Sequence, residues 1–286
     1  MTGILLLGGN GSRLFPCTRV ANKQLLPLYN KPLFFYSLST LISLGVDHVC
    51  IVARKQDIPY YKNFLIKPFS AAKCSITFVP QDEPLGIAHA ISLCKKHVKE
   101  DFYYTLLGDN VYIGDVSVIN SHQDAKPFVI TSRVANPNQY GVLDSKSSTV
   151  IEKPTKYIGD EAVTGLYYLP HDSFEFIEKL NPSARGEYEI SDVVNYYMQN
   201  GRMNVLSAEA HGLNWFDCGD FDDLLDCASL IKSIESRKGI LFGDFVAQLA
   251  LKRTKEINFY YVREYIKSIK NNSYKEKFKK TIDLVP

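Results

Sequence analysis

The chain has 286 residues, 45% of them apolar and 22% charged, and 33 Lys+Arg against 31 Asp+Glu leave a net charge of +2. That length allows one large domain or two ordinary ones with a substantial core, and the composition excludes a disordered chain, a collagen-like fibre and a small disulfide scaffold. The near-neutral balance gives no reason to expect a nucleic-acid or membrane partner, and the local net of +5 over residues 239–286 reads as the solvated face of helices.

From the N-terminus, Ile4–Leu7 is a short apolar run that breaks at Gly8-Gly9, as a buried parallel strand would. The opening MTGILLLGG lacks the basic flank of a signal peptide, and no stretch approaches the roughly 18 apolar residues of a spanning helix. Pro32–Gly45 has helical spacing, His48–Ala53 reads as a strand, Ile58–Phe64 as a helix, Ser75–Val79 as a strand, Ile87–Val98 as a helix and Phe102–Leu107 as a strand. Strand and helix in alternation predict parallel pairing with right-handed crossovers, with ligands at the carboxyl ends of the strands.

The second half is less regular. Phe128–Val134, Tyr140–Leu143, Thr149–Glu152 and Thr164–Leu169 read as strands, with a hairpin turn at Asp144–Ser148. Asp172–Leu180, Ile190–Asn200 and Asp220–Arg237 read as helices, and two more are expected between Gly243 and Phe278. The six cysteines form no C-x-x-C pair, so reduced, half-buried thiols in a cytoplasmic protein are expected.

Four motifs carry chemistry. Leu7-Gly8-Gly9-Asn10-Gly11-Ser12-Arg13-Leu14 follows the first strand, where glycines let backbone N–H groups approach a phosphate and a following helix N-terminus adds positive potential. It is not a Walker A loop, and the dinucleotide fingerprint fails at Leu14, which argues against a dehydrogenase. Arg13 suits a polyphosphate better than a neutral ribose, and Lys23 is placed to add a second cation. Asp109 at the end of a buried strand and Asp217 in Trp215-Phe216-Asp217-Cys218-Gly219 are a carboxylate pair suited to Mg²⁺ and transfer at phosphorus. Glu152-Lys153-Pro154 ends another strand; alternation puts Glu152 and Lys153 on opposite faces unless the proline bends the chain.

In this order the motifs resemble those of the sugar-nucleotide pyrophosphorylases, a nucleotidyltransferase family, and most closely its thymidylyl branch. The family's opening signature, L-A-G-G-x-G-T-R-L-x-P, stands here as LLGGNGSRLFP (Leu6–Pro16). KQLLPLYNKP (Lys23–Pro32), QDEPLGIAHA (Gln81–Ala90), LGDN (Leu107–Asn110), QYGV (Gln139–Val142), EKP (Glu152–Pro154), AVTGLYY (Ala162–Tyr168), SARGEYEISDV (Ser183–Val193) and WFDCG (Trp215–Gly219) follow it.

The resemblance implies an α/β fold with a Rossmann-like, mostly parallel central sheet, flanking helices, β insertions and a helical C-terminal region. Residues 1–240 would form the catalytic domain, and 241–286 a helical region for subunit or regulatory contacts. The implied reaction joins dTTP and glucose 1-phosphate, or a related hexose 1-phosphate, into a dTDP-sugar and pyrophosphate with Mg²⁺, in a cytoplasmic homotetramer. Arg13, Lys23, Asp109, Lys153 and Asp217 would be catalytic, with Asp109 and Asp217 on the metal. Leu6, Gly8, Gly9, Gly11, Ser12, Gln81 and Gly86 would bind nucleotide, and Tyr140, Gly141, Glu152, Lys153, Thr164 and Arg185 the sugar phosphate. Leu7 stands where the family has alanine, implying a bulkier wall beside the nucleotide, and His89 replaces the thymidylyl branch's glutamine, as in uridylyl relatives. The rival readings are a uridylyltransferase for a hexose or N-acetylhexosamine 1-phosphate and a non-catalytic sugar-nucleotide-binding regulator.

Overall fold

The computed structural model describes residues 1–9, 11–123, 126–252 and 257–283. Its strands are β1 (Thr2–Leu6), β2 (Pro27–Leu28), β3 (Lys31–Pro32), β4 (His48–Ala53), β5 (Ser75–Pro80), β6 (Phe102–Leu107), β7 (Asn110–Ile113), β8 (Phe128–Arg133), β9 (Gly141–Asp144), β10 (Thr149–Glu152), β11 (Glu161–Pro170), β12 (Asn204–Ser207) and β13 (Asn214–Asp217). The helices are α1 (Phe34–Ser43), α2 (Ile58–Ala71), α3 (Ile87–Ser92), α4 (Ser173–Ile177), α5 (Ile190–Gln199), α6 (Phe221–Lys238), α7 (Phe245–Lys252), α8 (Phe259–Ser268) and α9 (Asn272–Ile282).

Four parallel strands in the order β5-β4-β1-β6 form the centre of the main sheet. The chain leaves β1 toward β4 and β5 on one side and returns to β6 on the other. The crevice between β1 and β6 is therefore the point where the strand order reverses, the standard ligand position in such sheets. Beyond β6 the sheet turns antiparallel through β11, which pairs with β8 and β9, while β9 and β10 form a hairpin and β12 runs parallel to β8. The fold class expected from the motifs is the one observed.

Both faces are covered, which is why β1 reads as an unbroken apolar run. Alternation sends Leu5 and Leu7 to one core with α1, α2 and α7, and Ile4 and Leu6 to the other with α3, α4 and α5. Helix α2 runs on past Pro68 to Ala71, because Tyr61, Leu65 and Phe69 continue one buried stripe at i, i+4 spacing. The C-terminal region holds three helices among the described residues, not two; the side chains of Asn258 and Asn271 cap α8 and α9 by accepting from the N–H groups of Tyr260 and Tyr274. Helix α7 shares the core of the sheet: Phe245 packs against the rings of Phe34, Phe35 and Phe69.

Two elements are not legible from hydrophobic pattern. β7 and β13 form a separate antiparallel ribbon, registering Asn110 with Asp217 and Ile113 with Asn214. The segment after the glycine loop is not the expected α-helix. Short 3-10 turns at Ser12–Leu14, Cys17–Arg19 and Lys23–Leu25 replace it. Pro16 and Pro27 lack N–H groups for a continuous helical ladder, so no helix dipole aids this loop.

Candidate active site

The glycine loop leaves β1 at the sheet's reversal point, beside the loop that leaves β6. Gly9 and Gly11 hold φ of 92° and 58°, left-handed values that favour glycine. Gly8 is needed for space: a Cβ there would lie 2.5 Å from Gln81 Oε1. Gln81 follows β5 and is nearly buried, so the loop and the third strand of the sheet close on one another through this amide.

Asp109 follows β6 and takes a 2.7 Å ion pair from Lys23 Nζ. Burial pushes the Asp109 carboxyl up, but the Lys23 charge and the hydrogen bonds from Lys23 and Asn110 outweigh it and hold the group below the usual aspartate range. Asp217 stands across the ribbon, because Cys218 N donates to Asp109 O at 3.0 Å and Asp217 registers with Asn110. Burial first, and the Asp109 charge second, push Asp217 up to about 7. Two half-buried carboxylates therefore line one cavity, and only one is stably ionised near neutrality. Arg13 faces the pair, with Nη2 3.8 Å from Asp217 Oδ2 and Nη1 donating to Gln139 Oε1 at 3.2 Å.

Two adjoining cavities of about 260 and 290 Å³ open around this cluster, and Ile87, Leu107 and Asp109 line both. Leu6, Gly8, Gly9, Gln81 and Gly86 line the second, with Gln24 and Glu187. Tyr140, Gly141, Glu152, Lys153 and Asp217 line the first, with Arg13 at its mouth. Glu152 and Lys153 thus face one cavity rather than opposite sides. Strand β10 ends at Glu152, and Lys153 turns into the left-handed region at φ 45° with its N–H donating to Tyr140 O. A non-glycine residue in that region, immediately before Pro154, is strained.

Several expected site residues lie elsewhere. Thr164 is fully buried; its hydroxyl donates to Ile130 O and accepts from Tyr112. Alternation along β11 gives the cavity Val163, Gly165 and Tyr167 instead. Arg185 lines neither cavity. Its guanidinium makes two hydrogen bonds from Nη2 to Glu189, at 2.8 and 2.9 Å, with Glu187 and Glu152 at 3.4 and 3.5 Å. Ser12 is exposed on the first 3-10 turn and lines neither cavity. Leu7 does not wall the nucleotide side; it is fully buried in the core against Gly108, where a Cβ would lie 2.3 Å from Leu7 Cδ2. His89 lines neither cavity and stacks on Tyr188 at 6.1 Å between ring centroids.

Other residues matter that motif reading passes over. Asn110 Nδ2 donates to Asp109 Oδ1 at 3.0 Å, while its Oδ1 accepts from Gly165 N and Trp215 Nε1. One buried amide thereby ties β6, β11 and the β7–β13 ribbon to the carboxylate. Gly219 leaves room for Arg13, whose Nη2 would lie 2.6 Å from any Cβ there. Gln24 lines the second cavity and carries a buried Oε1 without a hydrogen-bond partner among the described residues. The only sequence signal for these was their adjacency to Asp109, Asp217 and Lys23.

A glycine loop, a paired carboxylate cluster and two cavities at a sheet reversal point define a nucleotide-handling α/β enzyme site. Residues 2–233 match the nucleotidyl transferase family, and the chain belongs to it. It is 36% identical over 250 residues to a glucose-1-phosphate thymidylyltransferase of Mycolicibacterium smegmatis, covering 85% of this chain and 86% of that one. It is 34% identical over 244 residues to the enzyme of that name from Neisseria meningitidis, covering 82% and 84%. A crystal structure described as a glucose-1-phosphate thymidylyltransferase of Bacillus anthracis in complex with sucrose superimposes with a TM-score of 0.73 at 31% identity, over 80% of this chain and 95% of that one. UDP-glucose pyrophosphorylase bound to UDP-glucose shares the fold, with a TM-score of 0.71 at 21% identity over 82% and 98%.

Proposed function

We propose that the protein makes dTDP-glucose and pyrophosphate from dTTP and glucose 1-phosphate. The observation that carries this reading is that Asp109 lies on the wall common to both cavities, so a nucleotide in one and a sugar phosphate in the other meet at one carboxylate. It is supported by the thymidylyltransferase relatives, which match most of the chain.

The donor set at Asp109 and Asp217 fits Mg²⁺: two carboxylates line one cavity, the Asp109 charge pushes Asp217 up despite Lys23 and Arg13 beside them, and Mg²⁺ is bound by one or two carboxylates plus substrate phosphates. When bound, the ion offsets charge on the transferring and leaving phosphates. The protein's own work is binding and alignment. The glycine loop and Gln81 hold the nucleotide on the β1 side. Lys153 and Tyr140 hold the sugar phosphate in the first cavity with its oxygen in line with the α-phosphorus, and Glu152 accepts from sugar hydroxyls. Arg13 and Lys23, now neutralising the two carboxylates, are positioned to take the leaving pyrophosphate. No protein nucleophile is required, since a phosphate monoester is already ionised at neutral pH, and positioning plus electrostatics supply the catalysis. Arg185 is assigned a supporting role, bracing Glu152 and Glu189.

The test is pyrophosphate release with Mg²⁺, glucose 1-phosphate and each of dTTP, UTP, CTP and ATP. Release is expected with dTTP; none with any nucleotide overturns the enzyme reading, and preference for UTP overturns the thymidylyl assignment. We extend the reading to a cytoplasmic homotetramer, with exposed apolar residues such as Leu225 on α6 and Tyr260 on α8 as subunit contacts. Analytical ultracentrifugation giving a monomer would remove that part alone.

A further inference from the structure

The β7–β13 ribbon carries Asp109 and Asp217 at one end. At its other end the chain runs out of β7 into a 3-10 turn that finishes at His122, and enters β13 from a 3-10 turn that finishes at His211. The two imidazoles meet there: His122 Nε2 and His211 Nε2 are 3.0 Å apart, with ring centroids 5.1 Å apart at an interplanar angle of 76°. Both rings are half-buried. His211 Nδ1 lies 2.8 Å from Ser207 O; a carbonyl only accepts, so Nδ1 carries the proton and Nε2 of the neutral ring presents a free lone pair toward His122.

We infer that His122 and His211 form a binding site for a divalent transition cation, of the Cu²⁺, Ni²⁺ or Zn²⁺ class. Two imidazole nitrogens about 2.0–2.1 Å from one ion and subtending about 90–110° at it lie about 2.9–3.4 Å apart, which spans the 3.0 Å observed. An ion on Nε2 lies about 3.2 Å from the ring centroid, so centroids 5.1 Å apart correspond to about 105° at the ion and the 3.0 Å nitrogen separation to about 94°, both within the range open to a square or tetrahedral ion. The backbone carbonyl on the far nitrogen is the usual outer-shell partner that fixes the tautomer of a ligating histidine. No group of three or more histidine, cysteine or acidic side chains suited to a metal occurs among the described residues, so water completes the coordination. Imidazole does not compete for Mg²⁺, which takes oxygen ligands; the site is therefore independent of the Asp109–Asp217 pair and of the reaction assigned to it. An occupied site staples the two turns that flank the ribbon.

The experiment titrates Cu²⁺ into the full-length protein in a Cys17→Ser background, which removes the exposed thiol, with Mg²⁺ in excess to occupy the carboxylates. Electron paramagnetic resonance is expected to show one copper centre with two imidazole nitrogens. Equilibrium dialysis with Ni²⁺ and Zn²⁺ is expected to give one site each, weaker than copper, in the general order for nitrogen ligands. His122→Ala and His211→Ala should each weaken binding by about tenfold or more and abolish the two-nitrogen signature, while pyrophosphate release stays normal and so reports an intact fold. The metal should also raise the thermal midpoint of the parent and not of either variant. Copper binding without imidazole nitrogens, or binding of equal strength in either variant, overturns the assignment.

Discussion

The chemistry of the site rests on the unequal treatment of two aspartates. Asp109 is held ionised by Lys23 and by the Asn110 amide, whereas Asp217 is pushed up to about 7 by burial and by Asp109 itself. The folded value of Asp217 lies above its ordinary 3.8, so the native state keeps a proton that the unfolded chain has lost. Metal-free stability is therefore fully present below about pH 4 as far as this group is concerned, and falls as pH rises through about 7. Excess Mg²⁺ is expected to flatten that dependence, as thermal unfolding between pH 5.5 and 8.5 would show. Asp217→Asn should raise the metal-free unfolding midpoint at pH 8 while removing most pyrophosphate release; a variant no more stable than the parent would contradict the repulsion. Asn110→Ala strands the Trp215 and Gly165 N–H groups and frees Asp109. A loss of about 2–4 kcal/mol is expected, read by urea denaturation, together with a fall in kcat larger than any rise in KM.

At the scale of elements, the site depends on where strands stop. Lys153 reaches the cavity because β10 ends one residue earlier, and Arg13 reaches Asp217 because Gly219 has no side chain in its way. Helix α3 shows the same dependence. Gly86, at its N-terminus, holds φ 103°, and a Cβ would lie 2.6 Å from Tyr188 O and 2.9 Å from Tyr188 N. Gly86→Ala combines that clash with left-handed strain and is expected to cost about 2 kcal/mol or more, with KM for the nucleotide rising several-fold; unchanged stability and KM would show that α3 shifts freely. Period and propensity reveal such strands and helices but not their terminal geometry. The glycine loop, both aspartates and the E-K-P triplet were legible in the sequence, whereas the burial of Thr164 and the turn of Leu7 toward the core rather than the nucleotide side depended on pleat and neighbours.

At the scale of the molecule, one buried ionic cluster fastens α6 and α9 to the β2–β3 hairpin. Glu235 on α6 is fully buried and accepts from Lys31 Nζ at 3.0 Å, Lys277 Nζ at 3.1 Å, Asn30 Nδ2 and the Phe242 N–H. Lys31 also donates to Tyr36 OH and Phe242 O. Glu235→Ala leaves the buried Lys31 ammonium without its counter-charge, and a loss of about 3–5 kcal/mol is expected, measured by chemical denaturation. Among the described residues of the C-terminal helices, Phe245, Leu249, Val262 and Phe278 join the core beneath the main sheet.

The sequence by itself determined the alternation of strands and helices, the glycine loop at the end of the first strand and the identity of the charged groups, because these follow from period, glycine placement and local order along the chain. Only the tertiary structure decided which of those groups meet. The β7–β13 ribbon brings residue 109 beside 217 and His122 beside His211, and Arg185 is taken by Glu189 rather than left for a ligand. Those outcomes depend on long-range register and on competition among neighbouring charges, neither of which is encoded in any short stretch of chain.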